Sequence, residues 1–328
     1  MAFEAVRGQP AAVELLSRAV ESGRVAHAYA FVGPSGVGRK LTALAFARAL
    51  LCPSRGCGRC RSCAQIGEGT HPDCHLILPD GQNIKIDQVR ELERLAALTP
   101  HAGPYKLFIL DDAERLTPQA ASALLKTLEE PPARTVLVLI LSQVRALPAT
   151  ILSRCQLVRF APLPLPETVA VLKGHGIEES QARLLARVSQ GRIGWALAQD
   201  PRNFFERRDL ALSVLAEVAA GGAEPLFSRT EALGRDRAQA ESFVETYWLW
   251  YRDLLCVKAG GDHRLIMHDD RQAELAQMAR ASSWEEIIQG IRHCREAWQA
   301  IQGNVSPRLT VEVTLARLAL GAGEESRT

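Results

Sequence analysis

The chain has 328 residues, 39 basic and 37 acidic side chains for a net charge of +2, 47% hydrophobic and 23% charged residues. This is the balance of an ordinary globular protein, too long for one small core and best divided into two or three domains at about 150 residues each. The charge argues neither for nor against nucleic acid, and arginine outnumbers lysine 33 to 6 along the whole chain, so the excess marks no patch. No run of 18 apolar residues and no basic-then-apolar N-terminal pattern occurs, which leads to the expectation of a cytoplasmic protein with no membrane contact. In such a compartment eight cysteines are not a disulfide framework, and their spacing decides what they are.

Residues 4–22 carry an amphipathic helical pattern, with Val13, Leu15, Leu16, Ala19 and Val20 after Gly8-Gln9-Pro10. His27 precedes the first strand and is read as a packed or solvated histidine. The apolar run Ala28 to Val32 predicts a buried strand, and Leu41 to Leu51 a helix. Between them lies Gly33-Pro34-Ser35-Gly36-Val37-Gly38-Arg39-Lys40. Strand, glycine-rich turn and helix are the setting of a phosphate loop, where backbone N–H groups cradle a phosphate, a lysine reaches the outer phosphates and a Ser/Thr holds magnesium. Here Arg39 stands in the lysine position and Lys40 in the Ser/Thr position. Thr42, two places on, faces another side of the helix. The loop is shaped for ATP or ADP through Gly33, Gly36 and Gly38, yet not equipped to turn one over. The plainer reading is an ordinary glycine-rich turn.

Cys52, Cys57, Cys60 and Cys63 follow, with two CxxC steps. Four thiols this close meet the demand of tetrahedral zinc, and with every position filled by thiolate the site is structural. A disulfide pair or incidental thiols are the alternatives. Cys74, Cys155, Cys256 and Cys294 are dispersed and read as small buried residues. Cys74 to Leu78 predicts a short strand, Asp87 to Leu98 a helix, and Lys106 to Leu110 a buried strand ending in Asp111-Asp112-Ala113-Glu114. Acidic residues at that end of a strand, beside a phosphate loop, are where a nucleotide's magnesium is held; otherwise Asp111 and Asp112 are a solvated turn or a helix cap. Thr117-Pro118 opens a helix through Ala120 to Glu130, stopped by Pro131-Pro132. Strands at Val136 to Leu141 and Leu157 to Phe160 complete the set, with Ser142-Gln143 placed to sense a phosphate. Apolar strands alternating with helices predict an α/β domain with a parallel sheet covered on both faces.

His27-Ala28-Tyr29, the loop from Gly33, the four-cysteine insert, Ile86-Asp87-Gln88-Val89-Arg90, Asp111 to Arg115, Ala123 to Pro132 and Ser153-Arg154-Cys155 together resemble bacterial DNA polymerase III clamp-loader subunits of the AAA+ class. The resemblance implies an AAA+ P-loop domain over 1–163 with the cysteine module at 52–63, a helical lid over 164–203, an all-α collar domain over 204–320 and a flexible tail at 321–328. It implies that Arg154 is an arginine finger reaching the nucleotide of a neighbouring subunit. The departures choose a branch: Gly38-Arg39-Lys40 replaces the motor subunit's intact loop ending, and in Gly191-Arg192-Ile193-Gly194-Trp195, Gly194 stands where the motor subunit has a second sensor arginine. What remains is similar to the delta-prime branch. Implied partners are the motor (gamma/tau) and delta subunits and, through the complex, the sliding clamp and primer-template DNA.

From Phe204 to Leu320 the pattern is helical, with Trp248, Trp250, Trp284 and Trp298 as core or interface residues and a family-like turn at 304–309. Three functions stay open: a largely non-hydrolysing ring subunit that donates a finger in trans, a working ATPase motor in which Lys40 meets phosphate after a register shift, or a nucleic-acid binder using the cysteines as a zinc ribbon. The last has only Arg55, Arg59 and Arg61 around the cysteines and no aromatic for base stacking. Nothing supplies the paired carboxylates that nucleotide polymerisation needs, so the polymerase reaction is expected to belong to the complex rather than to this chain, and the leading reading gives the chain no catalytic activity of its own.

Overall fold

Five strands pair side by side as a wholly parallel sheet, three of them buried throughout and the two edge strands partly exposed, and their order places the loop from Gly33 to Lys40. In the computed structural model, which describes residues 2–221, 223–234, 236–262, 265–303 and 305–321, the elements in chain order begin with α1 (Pro10–Ser22), β1 (Ala28–Val32), α2 (Arg39–Leu51), α3 (Arg61–Glu68), β2 (Cys74–Ile77), α4 (Ile86–Ala96) and β3 (Lys106–Leu110). They continue with α5 (Pro118–Glu129), β4 (Thr135–Leu141), α6 (Ala149–Leu152), β5 (Gln156–Arg159), α7 (Leu165–Gly174), α8 (Glu179–Ser189) and α9 (Ile193–Ala198). The rest is helical: α10 (Pro201–Gly221), α11 (Ala223–Leu233), α12 (Arg237–Lys258), α13 (Gln272–Ala281), α14 (Trp284–Gln302) and α15 (Pro307–Gly321). The expected tail at 321–328 lies, past residue 321, outside the described residues, as does Asn304.

The strand order is β2-β3-β4-β1-β5. Strands β1, β3 and β4 are buried along their whole length, the reading of continuous apolar runs covered on both faces. Alternation then assigns the faces. Tyr29, Phe31, Leu107, Ile109, Val136 and Val138 join Phe46 and Leu50 of α2 and Ile66 of α3 in one core. Ala30, Val32, Phe108, Leu110, Leu137 and Leu139 join Val89 and Leu92 of α4 and Leu124 and Leu128 of α5 in the other. The first helix starts at Pro10 rather than at residue 4, because Gly8 is left-handed and Gln9, which precedes the proline, is held out of the helical region; the Gln9 side chain then ties this start down, its Nε2 donating to the carbonyls of Ala161 at 2.7 Å and Val37 at 3.2 Å. Thr117 caps α5 as expected, accepting from the Ala120 N–H at 3.2 Å.

Backbone contacts divide the chain into Met1–Gly176 with Ser189–Ala198, and Ile177–Val188 with Gln199–Thr328. The helices of residues 164–203 are thus shared: α7 and α9 go with the sheet, most of α8 with the helical unit. That second unit has its own core, in which Trp250, Tyr247, Phe243 and Leu254 of α12 meet Ile287, Cys294 and Ile301 of α14 and Leu315 of α15. Of the four tryptophans there, Trp250 is buried, Trp248 and Trp298 are partly buried against the core, and Trp284 is half exposed. Within this core Asp253, fully buried, accepts from the N–H groups of Met267 and His268 and from His268 Nδ1 at 2.9 Å.

At the start of β2, buried Asp73 organises the loop that leads to β3, accepting from the N–H groups of His101, Ala102 and Gly103 at 2.6 to 3.0 Å. Burial raises its carboxyl, but those three donors and the His71 ring outweigh it and hold it below the usual carboxylate range. A folded value below the unfolded one means that ionised Asp73 stabilises above about pH 4 and that this is lost as pH falls. Asp73→Ala leaves three donors without an acceptor and should cost on the order of 2–3 kcal/mol at neutral pH. Native-state amide exchange over β2 and β3 measures it, and the difference between variant and parent should shrink on acidification.

Candidate functional site

In a parallel sheet all carboxyl ends lie along one edge, where α/β proteins bind ligands. The loop after β1, the acidic residues after β3 and Ser142 after β4 meet there. Gly33 N–H donates to Leu141 O at 3.2 Å, tying the loop to β4. Gly38 is left-handed, with φ 95°, and caps α2, whose first two residues are Arg39 and Lys40. Arg39 is 7% exposed. Burial lowers its guanidinium below the ordinary arginine value, while Glu114, Asp111 and Asp112 oppose the shift, which places the side chain in that carboxylate cluster. Its Nη1 has no hydrogen-bond partner, and neither has Glu114 Oε2; Glu114 Oε1 accepts from the Ser142 N–H at 3.1 Å. Lys40 Nζ lies 3.1 Å from Asp111 Oδ2. Asp112 is left-handed, with φ 55°, and starts the 3-10 turn Ala113–Arg115, pointing its role toward the turn; its carboxylate is 3.7 Å from Arg115. Thr42 is fully buried and gives its hydroxyl to Gly38 O at 2.9 Å, so it is not available as a substitute for the missing Ser/Thr.

The segment around Gly194 closes on this loop. Gly194 N–H donates to Gly36 O at 2.7 Å. A Cβ on Gly194 would stand 3.1 Å from that oxygen, and one on left-handed Gly36 3.0 Å from Trp195 N. Two glycines therefore let the backbones touch where the sequence predicted only a missing arginine.

The cysteine module runs from the C-cap of α2, Cys52, to the first turn of α3, where Cys63 sits. The four thiols of Cys52, Cys57, Cys60 and Cys63 sit within 4.8 Å of one another, with Cys52 Sγ 3.8 Å from Cys57 Sγ and 3.6 Å from Cys60 Sγ. A tetrahedron with Zn–S bonds of about 2.3 Å has edges of about 3.8 Å, so the donor set fits a metal ion of that size. All eight cysteines are free. Burial raises the Cys52 thiol, but the N–H groups of Cys57, Gly56 and Ser54 outweigh it and bring it to about 6. The Cys63 thiol is pushed up to about 12, chiefly by burial. Of the dispersed cysteines, Cys74 and Cys294 are buried as expected, whereas Cys155 and Cys256 are only partly so. Ser62, inside the module, hydrogen-bonds His71 Nε2 at 2.9 Å, and His71 Nδ1 accepts from the Asp73 N–H at 3.1 Å. That acceptor role puts the ring proton on Nε2, so His71 donates to Ser62 and cannot act as its base. The relay anchors the module to the sheet edge; its residue types gave no signal in the sequence beyond a lone histidine.

Arg154 lies between α6 and the edge strand β5, away from the phosphate loop's acidic cluster in the chain order of the sheet. Its Nη2 pairs with Glu129 Oε1 at 2.7 Å and its Nη1 donates to Thr150 O at 2.7 Å. The pair is open to solvent, with the two side chains 35% and 54% exposed. The structure thus brings Gly33, Gly36, Gly38, Arg39, Lys40, Asp111 and Asp112 into one site, the four cysteines into a second, and leaves Arg154 at the surface.

A family model described as DNA polymerase III, delta subunit, matches residues 8–164, and one described as DNA polymerase III, delta subunit, C terminal, matches residues 202–319. The DNA polymerase III subunit delta' of Bacillus subtilis (strain 168) is 32% identical over 320 residues, covering 95% of this chain and 97% of its own. The chain belongs to the DNA polymerase III delta' family. The delta' subunit of Escherichia coli (strain K12) is 33% identical over 318 residues, covering 93% of this chain and 92% of its own. Among solved structures, the gamma subunit-related DNA polymerase III protein of Thermotoga maritima superposes with a TM-score of 0.51 at 17% identity, over 94% of this chain and 99% of that one, a likeness of fold. Family membership accounts for the order of the sequence motifs, and among the described residues no helix is long and apolar enough to cross a membrane.

Proposed function

We propose that this delta' family member is a largely non-hydrolysing subunit of a clamp-loader ring in the cytoplasm, assembled with motor (gamma/tau) and delta subunits and supporting ATP-dependent loading of the sliding clamp onto primer-template DNA. In this reading the AAA+ domain spans 1–163 and the collar 204–320, and the lid between them, 164–203, is built from helices that the fold divides between the two compact units. The observation that carries the reading is the Lys40–Asp111 ion pair. It joins the two positions whose side chains hold magnesium in a working site, with an ammonium that cannot ligate a metal at one of them, and Arg39 beside it is buried. The motor reading needs Lys40 free to reach a phosphate, and this contact opposes it. Arg154, at the surface, is the finger offered to the neighbouring subunit, and the four cysteines hold a structural zinc.

ATP turnover by the purified chain tests the reading. Hydrolysis should be negligible beside that of the motor subunit, and adding the chain to motor and delta subunits should yield a ring whose mass contains it. A rate comparable to the motor's, or a ring that forms without the chain being incorporated, overturns it.

A further inference from the structure

Carboxylates are disfavoured at a helix C-terminus, where the last carbonyls already concentrate negative charge. Helix α5 nevertheless ends on Glu129, with Glu130 as its C-cap, so the stability of that helix does not account for the residue. Its partner is distant in sequence: Glu129 Oε1 accepts from Arg154 Nη2 at 2.7 Å. A second helix end holds the same guanidinium. The Arg154 backbone N–H donates to Ile151 O at 3.1 Å, and the Thr150 carbonyl accepts from side chains, Ser153 Oγ at 3.1 Å and Arg154 Nη1 at 2.7 Å.

A planar group bonded through two of its nitrogens to two separate elements cannot turn about one bond without breaking the other. The end of α5 and the carbonyl of α6 together therefore set the plane of the Arg154 guanidinium, although the side chain is partly open to solvent. Of its five N–H donors, these contacts leave the Nε–H and a second Nη2–H for an incoming ligand. Arg154 leads into β5, which stands at the edge of the sheet beside β1, a position that another subunit can approach. Ordering a long side chain costs entropy, and here the ordering precedes the encounter, which is the condition for an oriented reacting group.

We propose that Glu129 is a positioning residue for the finger: its carboxylate, with Thr150 O, holds the Arg154 guanidinium in the orientation in which it meets the phosphate of the neighbouring subunit's nucleotide. This rests on the reading of Arg154 as a finger and adds what aims it. Glu129 itself touches no phosphate. An ion pair this exposed contributes little to the fold, so the loss of Glu129 shows in the rate and not in the stability.

Single-turnover ATP hydrolysis by a ring reconstituted from the full chain with motor and delta subunits tests this, with the ring's affinity for a non-hydrolysable ATP analogue measured beside it. Glu129→Ala should slow hydrolysis at the adjacent motor site by roughly tenfold and leave the dissociation constant of the analogue unchanged within about twofold. Glu129→Gln, which keeps an oxygen acceptor for Nη2, should stay within about threefold of the parent. In the Arg154→Ala background Glu129→Ala should change nothing further, because a residue that acts through the guanidinium then has nothing to aim. The inference is overturned if Glu129→Ala equals the parent while Arg154→Ala is slow, or exceeds it, which would make Glu129 a restraint on the finger. It is overturned equally if Glu129→Gln does no better than Glu129→Ala, if the two alanine substitutions add, or if Glu129→Ala no longer enters the ring by mass. The finger reading outlasts each of those results. If Arg154→Ala itself leaves every site unchanged, the finger reading falls and this inference with it.

Discussion

Arg154→Ala should lower single-turnover ATP hydrolysis at the adjacent motor site of a reconstituted ring by roughly 10³-fold or more, the range of arginine fingers in phosphoryl transfer being about 10³ to 10⁵. Total turnover falls less, because a ring has several sites. The physical reason is that a guanidinium keeps its charge at any working pH and presents donors in a rigid fork, so it stabilises charge developing on a neighbour's phosphate. Lysine cannot copy the fork, and Arg154→Lys should not restore the rate. The same substitution should barely touch the fold. Arg154 meets Glu129 in a pair whose side chains are 35% and 54% exposed, and such pairs contribute at most about 1 kcal/mol. Folding, metal content and assembly should therefore persist while hydrolysis and clamp loading drop. An unchanged rate at every site of the ring would leave Arg154 as a surface arginine with one ion pair, which is all that its contacts within this chain require.

Removing the zinc proposed for the four thiols should unfold the segment from Cys52 through α3 without abolishing the sheet. Binding of zinc to four-ligand peptide sites contributes about 10–16 kcal/mol near neutral pH, far more than the few contacts of an eight-residue helix can replace. Of that helix only Cys63 and Ile66 are buried, so its burial is slight once the metal is gone. The reduced protein should carry close to one zinc per chain. Cys60→Ser should lose it, together with exchange protection over residues 52–68, whereas β1, β3 and β4 keep theirs through two cores that contain no ligand cysteine. A metal-free chain with a fully protected module would remove the zinc assignment. Since the Ser62–His71 bond joins the module to β2, some loosening of that edge strand should accompany metal loss, and ATP turnover should be unaffected.

The sequence by itself determined the elements, because each was written in a local pattern. Apolar runs such as Leu107–Leu110 and Val136–Leu141 could be buried only in a sheet covered on both faces, and they are. The glycine spacing after β1 marked a tight strand-to-helix turn, which left-handed Gly38 closes at the start of α2, and the spacing of Cys52, Cys57, Cys60 and Cys63 marked four convergent thiols. Boundaries were less secure. The amphipathic pattern ran back to residue 4, but left-handed Gly8 and the non-helical backbone of Gln9 before Pro10 keep the helix from starting earlier. Only the tertiary structure decided what the altered loop residues do. In the sequence Arg39 and Lys40 were only departures from the phosphate-loop pattern; that Lys40 reaches Asp111, and that the Gly194 N–H meets Gly36 O, depends on segments far apart in sequence brought together by the fold. The partners of His71 and Arg154, and the sharing of residues 164–203 between two units, were hidden for the same reason. Periodicity reports which side of an element is buried, and carries no record of which distant residue will be found there.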